Sequence, residues 1–376
     1  MGIKNLHPVL KRMCPQVYRE VPLSKYAYKK VALDLSIYMY KYKSSSANMW
    51  LDAFVQLIYI LRKNDVHFVA VYDSKAPPEK DLERKQRSDA REKQRDRVRI
   101  LRDTWDQFQE DHQGQDLTPE IIRQNPLLHQ FVLKNLNGEA IASRIENELV
   151  RMQYALMKIT SSDFDLTKEL FRSCGIPVLQ AEGEAEATCA LLNREGLVSA
   201  VITDDTDVLA YRTPIMLSKI DYQKETCIEI DLQEVLCALR LTESQFLDFC
   251  ILCGTDYNTN MPKIGPERSY RLILEHGSLD AIQEAHLNLP MEILNYPRVR
   301  QLFSPRLLPG VEVPFCDFPD HSVLSHFFFV HNIPTGVDKI RTACETSQFH
   351  CFLLNEGEEE ETTKEKIHKN NLLLIK

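Results

Sequence analysis

Apolar and polar positions along this chain follow two periods. Three short, nearly unbroken apolar runs are VALD (Val31 to Asp34), HFVAVYD (His67 to Asp73) and SAVITDD (Ser199 to Asp205). They read as buried strands of a parallel sheet. Between them the spacing is helical. An amphipathic helix is expected around Met49 to Arg62, and EAEATCALLNREG predicts a helix that stops at Gly196. Strands alternating with helices imply an α/β fold with a mostly parallel central sheet flanked by helices.

That alternation is interrupted after Asp73. From about Lys80 to Gln113 there is no Gly or Pro, so one long helix is expected. GQDLTPEIIRQNPLLHQ is then broken by turn formers, and helical spacing resumes from near Ile141 to about Lys158. The chain returns to the sheet near Gly175-Ile176-Pro177, so the excursion reads as an inserted helical cap. After Asp207 come a hairpin-like segment (Ile215 to Ile230), the helical stretches DLQEVLCALR and ESQFLDFCILCG, and the loop TDYNTNMPKIGPERS. The expected division is 1–110, 111–160 for the cap, 161–250, 251–345, and a charged tail over 346–376 whose composition predicts disorder.

Composition narrows the class. The 376 residues are 44% hydrophobic and 27% charged, the balance of a soluble globular protein. The formal charge of −8 argues against binding nucleic acid over the whole surface, so any polyanion must be met locally. Ten cysteines without a paired framework read as reduced thiols of an intracellular protein. Cys250 and Cys253 form a CxxC inside an apolar run and read as small buried hydrophobes. The most apolar run, LDAFVQLIYIL, is too short to cross a membrane and is interrupted by Asp52 and Gln56. MGIKNLHPVLKRM has no signal-peptide core, and Leu6 stands where myristoylation calls for Ser or Thr.

Against this acidic background, Lys80 to Arg102 carries ten Lys or Arg and five Asp or Glu. At about 100° per residue, Lys80, Arg84, Arg87, Arg91, Arg95 and Arg102 fall within an arc of about 80°. Asp89, Glu92 and Asp96 fall on the other side. A solvated helix stitched by i,i+4 pairs mixes its signs; here they are partly sorted. A cationic rail of this kind suits a phosphodiester chain, which it tracks by charge.

The acids are placed as tellingly. Asp34, Asp73 and the pair Asp205 and Asp207 end three expected strands, the edge where open α/β sheets bind ligands. Glu184 and Glu186 can reach the same point from a first helical turn after Gly183, and Asp256 follows an apolar helix. Taken singly, each could be a helix N-cap. Gathered on one edge, they would repel unless cations lay between them. Oxygen ligands without His or Cys select Mg²⁺ or Mn²⁺, and a pair of such ions serves phosphoryl chemistry.

These residues resemble the flap endonuclease branch of the XPG-type structure-specific 5′ nucleases. The signals are the MGI start, VALDLSIYMY, VAVYDSKAPPEK, GIPVLQAEGEAEA, VITDDTDVL and FCILCGTDYNTNMPKIGPERS, in family order from Met1 to about Ala343. The resemblance implies a PIN-like nuclease core with a helical arch or cap and a helix–two-turn–helix element. It assigns Asp34, Asp73, Glu184, Glu186, Asp205, Asp207 and Asp256 to the metal cluster, with Asp204 as a supporting acid. Lys80 and Arg87 match the basic pair that contacts the scissile phosphate, and Tyr40 the aromatic that stacks on the adjoining base. Gly2 would become the N-terminus near the site once Met1 is removed, and PKIGPERS, with Gly265 and Arg268, would grip duplex phosphates around a monovalent cation. With Arg84, Arg91 and Arg95 of the rail, these are the expected DNA contacts.

Three departures from the family pattern stand out. Lys263 occupies the position of a usual glycine, Glu267 that of a usual lysine, and the cap is longer than usual. HSVLSHFFF (His321 to Phe329) superficially resembles a sliding-clamp peptide but lacks its glutamine, and is expected to be core. The resulting expectation is a monomeric, Mg²⁺-dependent 5′ flap endonuclease in the nucleus, with two ions per site, Mn²⁺ as substitute, and neither membrane nor clamp partner. A bubble-cutting or exonucleolytic relative, an RNA-directed enzyme and a flap-binding protein without catalysis remain alternatives.

Overall fold

The computed structural model describes residues 3–46, 49–114, 117–132, 138–285, 289–306 and 310–345. The tail over 346–376 and Gly2 lie outside the described residues. The fold is α/β, built on a seven-stranded sheet of order β1-β7-β6-β5-β2-β3-β4. The strands are β1 (Arg19–Pro22), β2 (Lys30–Asp34), β3 (His67–Tyr72), β4 (Val178–Gln180), β5 (Ala200–Ile202), β6 (Ile215–Asp221) and β7 (Thr226–Asp231). Five of them, β6-β5-β2-β3-β4, run parallel, and β7 and β1 extend one edge antiparallel. The three apolar runs therefore form the centre of the sheet. β3 is buried at every position, as expected for a strand covered on both faces.

Helices in chain order are α1 (Leu6–Met13), α2 (Leu35–Ser46), α3 (Trp50–Lys63), α4 (Asp81–Asp111), α5 (Pro119–Arg123), α6 (Gly138–Ala155), α7 (Ser161–Ser173) and α8 (Ala185–Arg194). They continue with α9 (Asp207–Ala210), α10 (Leu232–Leu239), α11 (Glu243–Cys253) and α12 (Pro266–His276). Side-chain alternation along β3 splits the cover. Val69 and Val71 join Ala32, Val201 and the α8 residues Ala185 and Cys189 in one core. On the other face Phe171 of α7 meets Phe54 of α3 and Phe68 of β3 edge-on. The chain separates into two compact units, one of Met1–Tyr38, Leu51–Pro77 and Phe164–Lys376, the other of Met39–Trp50 and Pro78–Asp163. The second has its own core, in which Val98, Leu101, Trp105 and Phe108 of α4 pack with Ile141, Ile145, Leu149 and Met152 of α6.

α8 stops where the sequence says it should: Gly196 has φ +71, a conformation that favours glycine. Cys250 and Cys253 are buried, free thiols on α11. HSVLSHFFF forms a helix, His321–Val330, that buries Leu324, Phe327 and Phe328. Core packing stops there, because Phe329 is 82% exposed.

Candidate active site: an acid rim on the sheet and a basic helix

The parallel strands deliver their carboxyl ends to one rim. β2 ends on Asp34, which is level with Val71 of β3, while Leu33 is level with Ile202 of β5. Thr203, next after Ile202, is therefore level with Asp34 on one side, and Asp73 lies two residues beyond Val71 on the other. The Thr203 hydroxyl donates to Asp34 Oδ2 (2.9 Å) and accepts the Asp205 N–H (3.0 Å). Asp205 Oδ1 accepts the Asp207 N–H (3.0 Å), and Asp207 Oδ1 accepts the Ile3 N–H (2.5 Å). Asp73 Oδ1 takes the Ala185 N–H (2.6 Å) at the start of α8, where a helix N-terminus favours negative charge. Glu184 is the N-cap residue of α8 and is buried; its Oε2 accepts the Tyr257 hydroxyl, which is also bonded to the Tyr211 hydroxyl.

The loop that carries Asp256 is joined to the rim by the next residue, Tyr257, whose hydroxyl donates to Glu184. α11 is anchored by a capping box of Thr242 and Gln245, and it ends at Gly254, φ +94. A Cβ there would sit 2.7 Å from Asn260 Cβ, so the turn that launches Asp256 requires glycine. The Gly254 carbonyl also accepts the Lys4 N–H (3.0 Å), which ties the N-terminal residues to the same place.

Electrostatics shows which acids share a field. Burial, then Asp73, then Asp205 push the Asp34 carboxyl up to about 8. The buried Cys189 thiol is raised by burial first and next by Asp34, Glu186 and Asp73. The Tyr257 phenol is raised by burial, then Tyr211, Glu184 and Glu186. Asp34, Asp73, Asp205, Glu184 and Glu186 thus surround one region, with Asp207 joined through Asp205. Asp204 differs: its Oδ1 accepts the Lys219 N–H of β6 (3.0 Å). Thr203 and Tyr257 were not singled out from sequence, although Thr203 opens TDDTD and Tyr257 closes GTDY.

Among the described residues, no three acids close on one point as a finished metal cage. Several accept backbone N–H groups or hydroxyls. The rim nevertheless fits a hard divalent ion. Asp34 is 2% exposed and its Oδ1 has no hydrogen-bond partner. An orphaned buried carboxylate oxygen is costly unless a cation meets it, and the surrounding donors are all oxygen.

In the second unit, α4 is 31 residues long, and its buried residues Val98, Leu101, Trp105 and Phe108 all lie in the C-terminal half. Val98 and Trp105 project from the same sector as Arg87 and Arg91, at about 100° per residue. The packing face of the helix thus continues as a basic face, with Arg84, Arg87, Arg91 and Arg95 exposed. Two of these cations are tethered locally, Arg87 to Glu83 and Arg84 to Asp81. Arg102 does not belong to the rail: its guanidinium binds Glu146 (3.0 Å), which also accepts the Trp105 indole N–H (2.6 Å). Its position on the wheel is right, but the cap core claims it. Lys80 is the N-cap residue of α4. Arg91 lies over the exposed ring of Tyr40, 5.5 Å from its centroid, so two expected DNA contacts meet.

Gly265 is the N-cap residue of α12, with Pro266 at the first helical position. Its φ of −94 needs no glycine, and a Cβ would meet nothing within 4 Å, so the loop leaves open space before the helix N-terminus. Lys263 has φ 63, the left-handed region that the usual glycine would supply. Glu267 is paired with Arg12 (2.6 Å), both exposed, and Arg268 is exposed beside it.

Comparison with known proteins defines the class first. The XPG N-terminal domain matches residues 1–94 and the XPG I-region residues 175–256. Among similar proteins, "Probable RAD2-like endonuclease 076L" of Invertebrate iridescent virus 3 is 30% identical, over 88% of this chain and 94% of its own. "Flap endonuclease 1" of Lodderomyces elongisporus is 29% identical, over 92% and 86%. The chain belongs to this XPG, RAD2-like endonuclease family and is a structure-specific nuclease. Solved structures share the fold. The catalytic core of Rad2 in complex with DNA substrate has TM-score 0.61 at 20% identity, covering 91% of this chain and 99% of that one. Flap endonuclease-1 from Methanococcus jannaschii has TM-score 0.56 at 20% identity, covering 87% and 96%.

Proposed function

We propose that the chain cleaves DNA bearing a 5′ single-stranded flap, as a Mg²⁺-dependent hydrolase acting as a monomer. The observation that carries this reading is the carboxylate rim, where the ends of parallel strands and the first turn of α8 bring acids of one sign around the orphaned Asp34 Oδ1. Family membership supports it, as do relatives named flap endonuclease and a Rad2 neighbour bound to DNA substrate. Asp34, Asp73, Glu184, Glu186, Asp205, Asp207 and Asp256 would hold two divalent ions. Bound there, the ions would lower the pKa of a water and neutralise charge on the phosphate and leaving oxygen.

The chain's own residues supply the rest. Thr203 fixes the orientation of Asp34, Tyr257 that of Glu184, and the Ile3 N–H that of Asp207. Lys80 and Arg87 donate to phosphate oxygens, where charge grows in the transition state. Tyr40 offers a face to the base beside the cut. Arg84, Arg91 and Arg95 follow the single-stranded arm, while the N–H groups before α12, with Arg268 and a monovalent cation, hold duplex phosphates. A labelled 5′-flap duplex incubated with and without Mg²⁺ tests the reading. The expected product is a released arm from a cut that leaves a 5′-phosphate, only with the ion. Uncut flap with Mg²⁺ and Mn²⁺, or equal cutting in chelator, would overturn it.

A further inference from the structure

The last turn of α2 is anchored by charge where apolar side chains run out. Met39 and Tyr42 are buried, but the helix then ends in Lys43, Ser44, Ser45 and Ser46. Lys43 is nevertheless only 9% exposed. Its ammonium donates to Asp163 Oδ2 and to the Lys158 carbonyl (3.4 Å), and it lies 5.2 Å from the centroid of the buried Trp50 ring.

Asp163 is fixed from its own side as well. Its Oδ2 accepts the Thr160 N–H (2.7 Å) and the Thr160 hydroxyl (2.8 Å), and its own N–H donates to that hydroxyl (3.4 Å). This reciprocal bonding caps the start of α7. Burial pushes the Asp163 carboxyl up, but the Lys43 and Thr160 donors outweigh burial and hold it below its ordinary value, so the group is an anion. A buried ion pair does not part without stranding a charge away from water. The pair therefore ties the end of α2 firmly to the segment from Lys158 to Asp163.

Tyr40 stands three residues before Lys43, on a neighbouring sector of α2 about 60° away. Its ring is 40% exposed and lies under the Arg91 guanidinium of α4. The ring is thus gripped by Arg91, and the backbone that carries it is gripped by Lys43. A stacking surface binds best when it is ordered beforehand, because ordering it on binding costs affinity.

We propose that the Lys43–Asp163 pair is a positioning device for Tyr40, fixing the end of α2 so that the exposed ring meets the base beside the cut. The inference rests on the flap reading above. Lys43 and Asp163 act through Tyr40 and touch no substrate themselves.

The test uses the full chain in single-turnover cleavage with Mg²⁺ on two 5′-flap duplexes. One is intact, and the other has an abasic nucleotide in place of the base beside the cut. Wild-type chain is expected to cut the intact flap about tenfold faster, the size of one base–aromatic stack. Lys43→Met keeps the length of the side chain and drops its charge. It should slow the intact flap about fivefold, most of that stack, and leave the abasic flap within about twofold of wild type. Added to Tyr40→Ala, it should cause no further loss, because the two residues act as one unit. If Lys43→Met unfolds in a thermal melt, Asp163→Asn, which keeps the shape and an acceptor for Thr160, carries the test with the same selectivity. Equal slowing of both flaps, or no slowing of the intact flap by the folded variants, would overturn the proposal. Equal cutting of both flaps by wild-type chain would overturn it too, while leaving the active-site reading intact. Wild-type chain that cut neither flap would count against the active-site reading and take the proposal with it.

Discussion

On the sheet rim, Asp34 and Asp207 are 2% and 1% exposed, and their neighbours are tied to backbone N–H groups across β5, α8 and the N-terminal residues. On the N-terminal half of α4, by contrast, no side chain is buried, and two of the rail's arginines are tethered to carboxylates one turn away. The two regions carry opposite charge in opposite dielectric settings. Like charges held in a desolvated place cost folding energy, and the cost is recovered when cations arrive. Solvated charges on a helix cost little and act through a field that salt screens. The rim should therefore govern chemistry and pH-dependent stability, and α4 should govern binding and its salt dependence.

The sharpest break in that comparison comes from the rim. Asp73→Ala or Asp205→Ala is expected to lower flap cleavage by about 10³-fold or more, ~4 kcal/mol of barrier, while flap binding stays within about tenfold. Cleavage and anisotropy on the same preparations check it, and loss of the folded state would mean that these acids serve structure alone. Next in size, Arg87→Glu with Arg91→Glu should weaken binding about tenfold on substrates with a single-stranded arm, and flatten the salt slope by about 1.4. Equal weakening on plain duplex would contradict the placement of the rail.

Stability gives a third contrast. The Asp34 pKa is raised in the folded chain, to about 8 from 3.8. Its contribution is therefore fully present below pH 3.8 and is lost as pH rises through 8, so the metal-free chain weakens across that window. Asp34→Asn should remove this decline and stabilise the metal-free protein by about 1–3 kcal/mol at pH 8, with no cleavage activity. Thermal melts at pH 5 and pH 8 read the difference; a larger gain at pH 5 would refute it. The smallest effect belongs to Lys263, whose left-handed backbone is strained for a residue with a Cβ. Lys263→Gly should stabilise the fold by about 0.5 kcal/mol while lowering duplex affinity slightly, through loss of one exposed cation. Denaturant titration and duplex anisotropy measure the pair of changes.

Much of this was legible in the chain because it depends on local pattern. Apolar runs gave the central strands, the absence of Gly and Pro gave α4, and TDDTD and GEAEA marked the acids of the rim. What sequence could not supply were the partners chosen across the fold. Thr203 and Tyr257 look like ordinary polar residues until β2 and β5 align, or until the loop after α11 meets α8. Arg102 shows the converse. Helical spacing placed it on the rail, but the side chain is captured by Glu146, 44 positions away. Phe329 likewise falls in an apolar run, yet the helix turns it outward while Phe327 and Phe328 are buried. Periodicity states which face a residue occupies and is silent on what that face meets.

The claim beneath both regions is that the rim holds divalent ions. Mn²⁺ titration of the DNA-free chain at pH 8, read by electron paramagnetic resonance, tests it directly. The account predicts saturable binding of about two ions by wild-type chain, with at least one lost in both Asp34→Asn and Asp205→Ala. No saturable binding by wild-type chain, or identical binding by the folded variants, would contradict it.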